Sequence, residues 1–309
     1  MKPIVALAGG VGAARFLDGL ARLLPPQKIF IIGNTGDDAV IHGLHVSPDL
    51  DTVAYTLAGL AHRRRGWGLA GDTFHCLDAL GRLGAETWFQ LGDLDLATHL
   101  YRTARLRQGA TLTQATHEIA RALGVRSTLV PMSDDPVRTR VLCRRGELDF
   151  QTWFVRRRSR DAVRRLRFVG ARASRPAPGV IHAIHRAAAV ILCPSNPLLS
   201  IAPILAVPGL RNALRRTPAT VAAISPIVAG RALKGPAARM MRQLGIPPSA
   251  LAVARMYRDF ADVFVLDRVD RNQAASIEAL GMRPVLANTV MRRPRDCQAL
   301  AQAVLEALR

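Results

Sequence analysis

Pro3-Ile4-Val5-Ala6-Leu7-Ala8-Gly9-Gly10-Val11-Gly12-Ala13-Ala14-Arg15, running on into the apolar-periodic stretch Phe16 to Leu24, is the part of the sequence that decides the fold. A short continuous apolar run that ends in glycines and passes directly into a 3.6-residue period reads as strand, tight loop and helix N-terminus. Glycines let the backbone approach a phosphate, and the free N–H groups and dipole of the helix start favour negative charge there. Gly9, Gly10 and Gly12 are therefore candidate phosphate-binding positions. The spacing matches neither a dinucleotide fingerprint nor a Walker loop, since Ala13-Ala14 follow Gly12 and no Lys-Ser/Thr pair appears.

Outward from this stretch the strands and helices alternate. Lys28 to Gly33 reads as a second buried strand, leading into the polar loop Asn34-Thr35-Gly36-Asp37-Asp38. From residue 52 to about residue 124 strand signals vanish and helical patterns follow one another: 53–62, 73–83, 94–107 and 112–123, with Asp72 or Thr73 available to cap the helix after them. Strand character returns at 127–130, followed by a hairpin of 137–143 and 148–155 turning at Arg145-Gly146. Beyond it, strands at 189–193, 220–224, 263–266 and 284–287 alternate with helices at 180–188, 209–215, 237–244, 272–280 and 294–308. Strands apolar on both faces and separated by helices imply a Rossmann-like α/β fold, with a mostly parallel sheet covered by helices on both sides. The expected division is an α/β core of residues 1–51 and 125–309 with a helical subdomain, 52–124, inserted in it.

Composition narrows the classes. With 309 residues, 49% hydrophobic and 21% charged, the chain is expected to be an ordinary globular protein. The formal net charge of +20 rests almost wholly on arginine, because lysine occurs only at positions 2, 28 and 234. The arginines are scattered and aromatics make up 5%, which fits a GC-rich coding bias better than a nucleic-acid surface, so no nucleic-acid partner is expected. The densest run, Arg156 to Arg167, reads equally as a solvated face, an oligomer contact or an anion funnel. Four dispersed cysteines without a CxxC pair fit a reducing compartment. No signal-peptide pattern and no run of about 18 apolar residues is present, so a cytoplasmic protein without membrane contact is expected.

Ligands of open α/β sheets sit beyond the carboxyl ends of the strands, which directs attention to the loops there. Acidic residues beside a phosphate cradle have a use when a divalent cation lies between them and the phosphate, so Asp37 and Asp49 are candidate Mg²⁺ ligands. Asp49 and Asp51, two residues apart, point the same way if the segment is extended, which makes Asp51 a candidate acceptor of a substrate hydroxyl. Ser133 after the third strand, Ser195 and Asn196 after the fourth, and Ser225 after the fifth offer hydroxyl and amide groups for substrate. Lys234 is a phosphate candidate. The pairs His42/His45 and His182/His185 lack a third ligand, and no nucleophile signature is present.

Taken in order, GGVGAARFLDGL, NTGDD, SPDLDTVAYTL, GWGLAGDTF, WFQLGDLDLATHL, PMSDDPV, SNPLLSIAPIL and SPIVAGRALKGPA span essentially the whole chain. In this series the sequence resembles the 2-phospho-L-lactate transferase family of coenzyme F-420 biosynthesis. The resemblance implies transfer of a phosphorylated three-carbon acid (2-phospholactate, enolpyruvate phosphate or 3-phosphoglycerate) from its guanosine-diphosphate-activated form to the ribityl hydroxyl of the deazaflavin Fo, with release of GMP. It further implies Mg²⁺ on Asp37 and Asp49, contacts of Asp51 and Gln90 with the deazaflavin, and a homodimer. Gln90 stands where several relatives carry a basic residue, and Leu94 replaces the arginine of the family's GDRD motif. The alternative is the related glycine-loop family of regulatory factors, which bind a nucleotide sugar without catalysis.

Overall fold

The computed structural model describes residues 2–62, 64–144 and 146–309. Its centre is a seven-stranded, wholly parallel sheet. The strands are, from one edge to the other, Arg283–Ala287, Val263–Asp267, Thr220–Ile224, Ala189–Leu192, β1 (Ile4–Ala8), β2 (Ile29–Gly33) and Thr128–Pro131. In chain order this is 7-6-5-4-1-2-3, so the winding reverses between β1 and Ala189–Leu192. A crevice opens at such a reversal because the two flanking crossovers leave toward opposite faces.

Every strand but the edge strand Arg283–Ala287 alternates its side chains between two apolar layers. Val5 and Leu7 of β1, with Val190, Leu192, Val221, Ala223 and Phe264, pack under the helices Val180–His185, Leu210–Arg216 and Ala250–Tyr257. Ala6 and Ala8, with Ile31, Ile191, Ala222 and Val265, pack under α1 (Gly10–Ala21), α2 (Pro48–Leu57) and the C-terminal helix Pro294–Ala307. Burial on both faces is why these strands read as unbroken apolar runs.

The expected fold class holds, with four local differences. The helix expected at 53–62 is α2, which starts five residues earlier because Pro48 sits in its first turn, where a missing N–H costs nothing. The expected junction at 51/52 therefore falls inside α2, whose Leu50, Val53 and Ala54 belong to the core layer of α1. The expected hairpin is shorter: Arg138–Cys143 pairs with Gly146–Asp149, and the chain then turns into a π-helical segment, Thr152–Arg156. Arg145, in its turn, lies outside the described residues. A third strand, Val163–Val169, pairs with the other side of Arg138–Cys143, and it was missed because its arginines mask a half-exposed strand. A small hairpin, Ala39–Ile41 with Leu44–Val46, carries the chain from Asp38 to Ser47.

After α2, helices α3 (His75–Arg82), α4 (Asp93–Arg107) and α5 (Leu112–Ala122) precede the edge strand Thr128–Pro131. Their starts are locked reciprocally. Asp93 accepts from the backbone N–H groups of His75 and Cys76 at 2.9 Å and so caps α3. Asp72, expected to cap the helix just after it, instead accepts from Leu94 N–H (2.7 Å) and Asp95 N–H (3.1 Å) at the start of α4. Among the described residues no single helix is long and apolar enough to cross a membrane.

A Cβ on Gly12 would collide with the carbonyl oxygen of Pro194, across the sheet reversal. Gly12→Ala should therefore cost roughly 1–3 kcal/mol in urea unfolding, as overpacking against backbone does. Asp72→Ala should cost about 1 kcal/mol through the lost cap. An unchanged urea midpoint in either variant would contradict the packing described.

Candidate functional site

Beyond the carboxyl edge of the sheet, at the reversal, lies a cleft of about 1040 Å³. Its floor is built where β1, β2 and Ala189–Leu192 end. β1 delivers Gly9, whose N–H donates to Ser195 Oγ at 3.2 Å and ties the first and fourth strand loops together. Any Cβ on Gly9 would lie 2.5 Å from Asp49 Oδ2 and 2.6 Å from Ser200 Cβ, so the glycine is what allows Asp49 to lie against the start of α1.

The loop after β2 supplies Asn34 and Asp37. Asn34 Nδ2 reaches Asp49 Oδ2 at 2.8 Å, Asp37 Oδ1 at 3.3 Å and the carbonyl of Leu199 at 3.3 Å. Its Oδ1 accepts from Gly36 N–H, which fixes the amide's orientation. Two carboxylates from different elements thus converge on one amide. Both are almost fully buried. Burial, then the charges of Asp49 and Asp38, push the Asp37 carboxyl well above the ordinary range. Burial pushes Asp49 up to about 7, helped by Asp38 and opposed by the Asn34 amide and the Gly10 N–H. Asp38, beneath them, is held by Ser47 Oγ and His45 Nε2, both at 3.0 Å.

Among the described residues no three His, Cys, Asp or Glu side chains gather as a protein metal cage. Two buried carboxylates facing a cleft suit Mg²⁺, which keeps several waters and takes phosphate oxygens beside one or two carboxylates.

Asp51 also lines the cleft, though for a different reason than expected. In the helical first turn of α2, residues 49 and 51 point in different directions, so Asp49 faces Gly9 while Asp51 faces α4. There Arg102 grips both of its oxygens, with Nη1 3.1 Å from Oδ2 and Nη2 on Oδ1. Next to them His99 and Asp95 reach the cleft, and Tyr55 donates to Asp95 at 2.6 Å.

Among the remaining expected positions, Gly10, Gly12, Gln90, Ser195, Asn196, Ser225 and Lys234 all border the cleft. Several are already engaged. Asn196 Oδ1 accepts from the N–H groups of Leu198 and Leu199, and Ser225 Oγ closes its own turn with Ile227. Ser133 does not belong: it is buried outside the cleft, donating to the carbonyl of Arg175 at 2.6 Å and accepting from Asp135 N–H. Its loop-like Ser-Asp-Asp context signals a turn as readily as a ligand. Leu94 is exposed on α4 and lines nothing.

Sequence reasoning missed the cleft's walls. Trp67, Trp88, Phe89, Phe150 and Phe154 line it, with Phe150 and Phe154 stacked at 5.3 Å and Trp88 and Phe89 edge to face at 5.7 Å. In a chain with so few aromatics, their grouping at 67–89 and 150–154 was the available signal. The rim is basic, carrying Arg15, Arg65, Arg156, Arg158, Lys234 and Arg292. The Lys234 ammonium is pushed down by burial and by the charge of Arg15. The arginine run divides: Arg156 pairs with Glu86 over Trp88, Arg157 with Asp161 and Arg167 with Glu147, while Arg158 faces the cleft.

The raised carboxyl at Asp49 has a measurable consequence. A folded-state pKa above the unfolded one contributes stability that is complete below about pH 4 and lost as pH rises through about 7. With cations chelated, Asp49→Asn should be more stable than the parent by roughly 1–3 kcal/mol at pH 8 and no more stable at pH 4. Equal urea midpoints at pH 8 would contradict it.

The fold and this cleft can be set beside known proteins. The family model described as 2-phospho-L-lactate transferase CofD matches residues 4–305. A 2-phospho-L-lactate transferase of Methanosarcina mazei is 36% identical over 304 residues, covering 98% of this chain and 100% of the relative. A phosphoenolpyruvate transferase of Kitasatospora aureofaciens is 41% identical over 312 residues, covering 99% and 96%. A crystal structure of a upf0052 family member from Bacillus halodurans has the same fold, with a TM-score of 0.63 at 17% identity and 98% of each chain covered. Coverage is nearly end to end in the family model and in both relatives: the chain belongs to the CofD family of 2-phospho-L-lactate transferases.

Proposed function

We propose that this transferase moves a phosphorylated three-carbon acid from its guanosine-diphosphate-activated form to the ribityl hydroxyl of the deazaflavin Fo, releasing GMP, as a step of coenzyme F-420 biosynthesis. The observation that carries this reading is the convergence of Asp37 and Asp49 on Asn34 at the sheet reversal, under a basic rim. Buried acids next to an anion site repel a diphosphate unless a cation separates them. Asp37 and Asp49 would hold Mg²⁺, which when bound neutralises diphosphate charge as the leaving group departs.

The chain's own groups supply the rest. Arg15 and Lys234 on the rim attract the diphosphate, and the N-terminus of α1 adds its partial positive charge. The aromatic wall of Trp67, Trp88, Phe89, Phe150 and Phe154 suits a flat polycyclic ring such as that of Fo, with Gln90 at its edge. Asp51, gripped by Arg102, keeps a lone pair on each oxygen with which to accept the hydrogen bond of the attacking hydroxyl. The hydroxyl oxygen forms the new bond to the phosphorus bearing the three-carbon acid as its proton passes to Asp51, the bridging P–O bond breaks, and GMP leaves. No protein nucleophile is needed, because in-line placement and charge neutralisation do most of the work of such a transfer. Relatives named for 2-phospho-L-lactate and for phosphoenolpyruvate support a phosphorylated three-carbon group as the part transferred.

Incubation with Fo, Mg²⁺ and each of the three activated acids should give one phosphodiester product whose mass identifies the donor. Absence of any product with all three would overturn the reading. Asp49→Ala should lose at least about 100-fold in turnover, as removal of a metal-centred charge stabiliser does. Mg²⁺ should raise the thermal midpoint of the parent at pH 8 and leave that of Asp49→Asn unmoved; an equal response in both would remove Asp49 from the metal site.

A further inference from the structure

Arg102 is the one buried arginine or lysine among the described residues, 1% exposed, and it lies on α4 behind the cleft. We infer that Arg102 is a positioning residue for Asp51: its guanidinium fixes the direction in which that carboxylate faces the acceptor hydroxyl, and locks the neighbouring His99 ring in the same act. The inference rests on the reading of Asp51 given above, which it deepens.

Three features of the geometry carry it. Both terminal nitrogens of Arg102 meet the two oxygens of Asp51, so the carboxylate plane is set by a planar fork that a lysine cannot reproduce. Nη1 also lies 3.3 Å from His99 Nδ1. A guanidinium has no acceptor, so it can only donate to Nδ1, and the other ring nitrogen, Nε2, is buried 3.3 Å from Asp95 Oδ1 without a hydrogen bond. Arg102 thereby orients Asp51 and His99 together, and both line the cleft, with Asp95 beside them holding Tyr55. Finally, Arg102 Nε is buried without a hydrogen-bond partner. A fold that wanted only a stable α2–α4 contact would do as well with apolar side chains, because buried ion pairs recover little more than their desolvation. An orphaned N–H tolerated to aim a guanidinium at a cleft carboxylate is the kind of local cost found at functional sites.

The test is a double-mutant cycle of Arg102→Lys and Asp51→Asn, read with Fo and the activated acid. Arg102→Lys should lower kcat by roughly 10- to 100-fold with the Fo KM changed by less than about threefold, since misplacement of about 1 Å costs that much in turnover. The double variant should be no slower than Asp51→Asn alone, because Asp51 is the group through which Arg102 reaches the reacting hydroxyl. Arg102→Lys turning over within twofold of the parent, or losses that multiply in the double variant, would overturn the inference. If Arg102→Lys fails to fold, the neutral pair Asp51→Asn/Arg102→Gln replaces it: turnover equal to Asp51→Asn supports the positioning role, and a further tenfold loss refutes it. Asp51→Asn at the parent's rate would remove the reading of Asp51 itself, whatever Arg102 does.

Discussion

The interaction on which this structure depends is the crowding of negative charge at the sheet reversal. Asp37, Asp38, Asp49, Asp51 and Asp95 are all buried within one connected neighbourhood, and among the described residues Arg102 is the single buried arginine or lysine there, with His99 beside it. A chain with a formal charge of +20 has cations to spare, yet they stand on the rim and not on the floor. Burial of unpaired carboxylates is costly, and it holds the carboxyls of Asp37 and Asp49 above the ordinary range. In the proposed reaction a cation and the diphosphate complete the charge pattern that the fold leaves unbalanced.

Fold and site are linked through backbone proximity. The parallel order brings the ends of β1 and of Ala189–Leu192 side by side, and Gly9 and Gly12 let α1 lie against Asp49, Ser200 and Pro194. The Gly9 N–H to Ser195 bond then joins the two loops across the reversal. The glycines thus serve as much to admit the Asp49 carboxylate and the Pro194 backbone as to admit a phosphate. The two roles are compatible, because the Gly10 N–H that favours the ionised form of Asp49 belongs to the same helix start.

Much of this was legible in the sequence. The seven sheet strands announce themselves as short apolar runs, and the connections that leave their carboxyl ends carry Gly9, Asp37, Asp49 and Ser195 into one cleft. What escaped has physical reasons. Asn34 was a loop residue among other polar ones, and only its three acceptors reveal it as the clamp on two carboxylates. Tyr55, Asp95, His99 and Arg102 sit at helical spacing and look like parts of two amphipathic helices, since one helix period cannot say what faces the other. Ser133 failed the opposite way: a serine in an acidic loop after a strand has the look of a ligand, and the structure uses it to hold Arg175. The strand Val163–Val169 was hidden by its own arginines.

The central claim is that Asp37 and Asp49 share a divalent cation with the diphosphate of the substrate. The direct measurement is an anomalous-scattering map of crystals grown with Mn²⁺ and GDP. The account predicts one strong peak between the facing oxygens of Asp37 and Asp49, in contact with a phosphate oxygen of the nucleotide. Bound GDP with no peak there, or with the metal held by other residues, would contradict it.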